Sequence, residues 1–118
     1  MPHIFEEEYA AMDRVRDFCR APETIHLTLK PSQKKNFRLG NIDAEITLIK
    51  TETAMYGWGG CGNNLGKQLF IKLAYRQDGK SFEEEMTLGP QPQITRKGPL
   101  RLVGADDGEG GATVSVGL

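Results

Sequence analysis

This chain has little of what usually carries chemistry. It has two cysteines, two histidines and one tryptophan in 118 residues. The cysteines, Cys19 and Cys61, share no C-x-x-C spacing with each other or with the histidines, His3 and His26, so no metal-binding motif is present. Neither charge sign dominates. Fifteen Lys and Arg face sixteen Asp and Glu, for a net charge of −1 and a pI near 6.1. A dedicated nucleic-acid binder usually carries a strong basic excess, so bulk charge argues against that class. No apolar run approaches the roughly 18 residues that a membrane-spanning helix needs. The start, Met1-Pro2-His3-Ile4-Phe5-Glu6-Glu7-Glu8, is acidic and has no apolar signal core. A cytoplasmic protein is expected, the alternative being an exported one whose signal lies outside this sequence. In the cytoplasm Cys19 and Cys61 would stay reduced. After export they would pair by default.

What the chain does have is ordinary globular composition, with 38% hydrophobic and 26% charged residues. That length and composition suit one domain spanning residues 1–118, with a core that needs neither metal nor disulfide. Residues 5–20 read as an amphipathic helix. Phe5, Tyr9, Met12, Val15 and Cys19 follow helical spacing, with Phe18 beside the stripe. Glu6 to Glu8 open it and Arg14, Arg16 and Arg20 follow, an order that suits the helix dipole. Pro22 ends it. Tyr9, Met12, Val15 and Cys19 are expected to face a sheet.

From Thr24 the period changes to two. Ile25, Leu27 and Leu29 alternate with His26 and Thr28, and Phe37 to Leu39 and Ile42 to Thr53 read as further strands. Leu69 to Arg76 and Ser81 to Leu88 flank Asp78-Gly79, a strong two-residue hairpin signal. Residues 94–96, 100–103 and 112–116 complete the series. Short connections leave no room for crossover helices, so pairing is expected to be antiparallel. The fold class is α+β: one N-terminal helix packed on a mainly antiparallel sheet, or a sandwich, of about seven short strands.

The densest feature is Tyr56 to Gly66, which holds five of the fourteen glycines, the tryptophan and Cys61. Ordering glycine costs more backbone entropy than ordering any other residue, and a glycine-rich loop beside rigid strands reads as a binding loop. Tyr56 and Trp58 are its expected aromatic anchors, the alternative being that Trp58 folds back to plug the open end of the sheet, and Gly60, Cys61, Asn63 and Asn64 complete the expected partner-binding set.

Other constellations are thinner. Cys61 between glycines could act as a nucleophile only with a base, and the choices are His3 and His26. Asp106-Asp107-Gly108-Glu109-Gly110 departs from a calcium loop and reads as an acidic turn. Glu84 shares a strand face with Phe82 and Met86, so it needs a cation across the sheet or an exposed face. Lys30, Lys34, Lys35 and Arg38 around Phe37, and Arg96, Lys97 and Arg101, are two basic groups. No catalytic set, cofactor or metal follows from this. The expected function is a small protein-binding module of the inhibitor, immunity or antagonist type. Its partner would be a protein, with self-association open and with no role for nucleic acid or membranes. The alternatives are an assembly subunit whose strands pair with neighbours, or a small hydrolase using Cys61 or Glu84.

Overall fold

A computed structural model describes residues 12–58, 61–90 and 93–118, and the side chains of these outside 55–65. Among the described residues there are one helix and eight strands. The helix, α1, is described over 12–20. The strands are β1 (Ile25–Leu29), β2 (Lys34–Leu39), β3 (Ile42–Trp58), β4 (Cys61–Gln77), β5 (Lys80–Leu88), β6 (Thr95–Lys97), β7 (Leu100–Asp106) and β8 (Ala112–Gly117). All pairs are antiparallel, in two four-stranded sheets of order β1-β8-β7-β6 and β2-β3-β4-β5.

Period-two patterning places the core. Leu29, Leu100, Leu102, Val114 and Val116 come from the first sheet, and Ile42, Ile46, Leu48, Leu69, Ile71 and Leu73 from the second. All are buried in one shared cluster. His26 and Thr28 take the other face of β1, exposed, as the alternation requires. The hairpin at Asp78-Gly79 forms as expected. Both residues have positive φ, 52° and 76°, and Gln77 pairs with Lys80 across the turn.

Three expectations change. The strand count among the described residues is eight where about seven were expected, and the stretch read at 94–96 is Thr95–Lys97, a short edge strand paired with Leu100–Leu102. Tyr56–Trp58 and Cys61–Gly66 are strand rather than loop: β3 and β4 run on through them, pairing Met55 with Leu65 and Trp58 with Cys61. Glycine is tolerated in a strand when the opposite strand completes the ladder, and the irregularity survives as a bulge between Tyr56 and Trp58. Finally, the helix docks by a different residue. Met12 is 50% exposed, whereas Phe18 is 5% exposed. Phe5 and Tyr9 lie outside the described residues.

The reason for the third change lies on β8. The Phe18 ring packs where Gly117 has no side chain: a Cβ there would lie 2.8 Å from Phe18 Cε1. The Arg101 guanidinium sits 5.0 Å from the ring centre on the same side. Thr24 Oγ1 donates to the Phe18 carbonyl at 2.7 Å, closing the chain after the helix. Sequence periodicity located the apolar stripe one step from the residue that the sheet accepts.

Candidate functional site: the β3–β4 arm

The second sheet is not of even length. β2 pairs with β3 only over Ile42 to Thr47, and β5 reaches β4 only as far as Leu69. Beyond these points β3 and β4 continue alone. Glu52–Trp58 and Cys61–Gln68 pair with each other and, among the described residues, with no other strand. At about 3.3 Å per residue, such a strand projects roughly 23 Å. The principal extents, 49 × 27 × 21 Å, fit an elongated shape.

A bulge marks the base of this arm. The register shifts between Leu48 and Lys50, which leaves Ile49 unpaired and 39% exposed. Up to Leu48, even-numbered residues of β3 face the core. Without the extra residue, Lys50 would follow them inward. The bulge instead sets Lys50 opposite Phe70, on the outer face. Its ammonium lies 4.8 Å from the Phe70 ring centre and 2.8 Å from Glu52. On the other face, Lys67 Nζ donates to Thr53 Oγ1 at 3.1 Å. The base of the arm is therefore polar on both faces. Core burial ends at Leu48 and Leu69.

The register gathers most of the expected binding residues toward the far end of the arm. Tyr56 stands opposite Asn64 and Trp58 opposite Cys61, and Asn63 lies between them on β4. Gly60 lies outside the described residues.

The remaining candidates are accounted for elsewhere. Glu84 is tied to Lys97 of β6, an ion pair that bridges the adjacent edges of the two sheets. Asp107 Oδ1 accepts the backbone N–H groups of Glu109 at 2.7 Å and Gly111 at 2.9 Å. Those two donors hold its carboxyl below the ordinary carboxylate value. The acidic segment is thus a turn organised by one carboxylate. Among the described residues no three His, Cys, Asp or Glu side chains are placed to hold a metal. Cys19 is a free thiol, and His3 lies outside the described residues. No helix among the described residues is long and apolar enough to cross a membrane.

One pair escaped sequence reasoning. His26 Nδ1 and Ser115 Oγ lie 2.7 Å apart, because the β1–β8 register sets these residues directly opposite. Eighty-nine residues separate them in the chain, so nothing in the sequence links them. A second pattern also needs the register. On the outer face of the second sheet β2 carries Lys34 and Arg38, β3 Asp43 and Glu45, β4 Lys72 and Arg76, and β5 Glu83 and Glu85. Neighbouring strands alternate in sign. Lys34–Glu45 at 3.4 Å, Arg38–Asp43 at 3.7 Å and Lys72–Glu83 at 2.6 Å are the resulting ion pairs. Glu83, by hydrogen bond and charge, raises the Lys72 pKa. An open trough of about 760 Å³ crosses this face over residues such as Arg38, Asp43, Arg76 and Glu83. Its walls carry both signs, so it selects no single charge.

Comparison with protein-family models, with curated proteins and with solved structures finds no match for this chain.

Proposed function

We propose that this chain is a protein-binding module, of the inhibitor, immunity or antagonist type, that engages its partner through the β3–β4 arm. The observation that carries this reading is the arm itself. It extends a rigid sheet past the end of the core, and its described side chains make local polar contacts. A long ribbon with open backbone edges adds little to the stability of the fold. It suits insertion into a groove or strand addition to a partner sheet. Tyr56 and Trp58 near its end are residue types that anchor interfaces.

The enzyme alternative has less support. Glu84 is neutralised by Lys97, and His26 belongs to the other sheet with Ser115 as its partner. Trp58→Ala tests the binding reading. A buried interface tryptophan typically costs at least about 2 kcal/mol on truncation, roughly thirtyfold in affinity. The expected result is an unchanged melting temperature with lost partner binding. A collapsed melting temperature would assign Trp58 to stability, and intact binding would remove it from the contact.

A further inference from the structure

We propose that copies of this chain associate edge to edge through the second sheet, with β5 of one copy pairing antiparallel to β2 of the next.

The sheet has an even number of strands, and β2 and β5 are its outer members, each with one strand neighbour among the described residues. Their charges are opposite. β2 carries Lys34, Lys35 and Arg38, whereas β5 carries Glu83, Glu84 and Glu85 against one Lys80. Four antiparallel strands end in opposite directions, so a β5–β2 junction between copies continues the antiparallel alternation. It also continues the alternation of charge on the outer face, as negative β5 meets positive β2. A β2–β2 or β5–β5 junction would set like charges opposite each other, which destabilises a strand pair.

The rows already present in the sheet define a register for this junction. One row runs Lys35–Ile46–Leu73–Glu84, and the next Phe37–Ala44–Tyr75–Phe82. Continued straight into the next copy, they set Glu84 against Lys35 and Phe82 against Phe37, with Glu85 against Lys34 one residue along. Two pairs of opposite charge, with Glu84 shared between Lys35 of the next copy and its own Lys97, and one aromatic pair coincide in a single alignment. Phe82 gives independent support. It stacks on Tyr75 at 5.0 Å yet remains 43% exposed, an aromatic left uncovered at the edge. Charged edges ordinarily guard a sheet against pairing. Here each edge repels its own kind and attracts the other, so the guard acts only against the like-edge junctions. The contact is heterologous, and it closes into a ring or continues as a filament.

The test is sedimentation velocity over a concentration series at low salt, on the full chain, with melting curves as the folding control. The variants are Lys34→Glu, Glu85→Lys, their equimolar mixture, and the chain carrying both. Each residue is exposed, and neither reversal touches the core. Wild type should associate with increasing concentration, and high salt should weaken it. Each single reversal should weaken association about tenfold. The mixture and the double variant should restore it, because both rebuild opposite-sign junctions. A monomeric wild type at every concentration would overturn the proposal. So would single reversals that leave association unchanged, or a loss that neither the mixture nor the double variant restores.

Discussion

The Tyr75 hydroxyl occupies the space that a side chain at Gly98 would need. A Cβ built on Gly98 would lie 2.9 Å from Tyr75 Cζ and closer still to the hydroxyl oxygen. Tyr75 belongs to β4 and Gly98 to the turn between β6 and β7, so this contact joins the two sheets. Gly98 also holds a φ of +58°. Gly98→Ala therefore combines backbone strain with overpacking and should cost about 2–4 kcal/mol.

Gly79 supplies the control. Its φ is +76°, but a Cβ there would meet nothing within 4 Å. Gly79→Ala should cost about 1 kcal/mol, from the backbone alone. Chemical denaturation of both variants checks the order. Gly98→Ala in a Tyr75→Phe background should cost less than in wild type. Equal costs at the two glycines would contradict the packing role of Tyr75.

The helix offers a second contrast. Phe18→Ala should destabilise by about 3–5 kcal/mol, since the ring is buried against Gly117 and Arg101. Met12→Ala should stay within about 0.5 kcal/mol of wild type, as a surface change. The reverse order would place the helix on its Met12 face after all.

Much of this was legible in the sequence, and the misses have physical causes. Alternation marked the inward residues of β1, β4 and β5, because a half-buried strand needs that period. Asp78-Gly79 specified its turn because few residue pairs accept two positive φ values. The Glu84 anomaly was visible, but Lys97 as its partner was not, since sheet stacking is non-local. The glycines of 57–66 read as a loop because local propensity ignores the ladder that a facing strand supplies. The bulge at Ile49 left no signal, and it decides where the core ends and the arm begins.

The turn at Asp107 gives a pH prediction. Its pKa is lowered below the ordinary value of 3.8 by the backbone donors of Glu109 and Gly111. A depressed carboxylate pKa stabilises the fold above the unfolded value, and that stabilisation is lost as pH falls through the folded value. Asp107→Ala removes the acceptor. The melting gap between wild type and variant should be constant from neutrality down to about pH 5, more than a unit above that ordinary value, and should narrow in more acid solution. A gap that widens on acidification would contradict the assignment.

The arm carries the central claim, and shortening it tests that claim most directly. Residues 53–67 are replaced by Asn-Gly, which joins the cross-strand partners Glu52 and Gln68 through a two-residue turn and keeps the register of the remaining ladder. Melting temperature and co-purification of a partner from the native host are then measured on the same preparation. The account predicts a melting temperature within a few degrees of wild type and loss of the partner. A collapsed melting temperature, or a partner still bound without the arm, would contradict it.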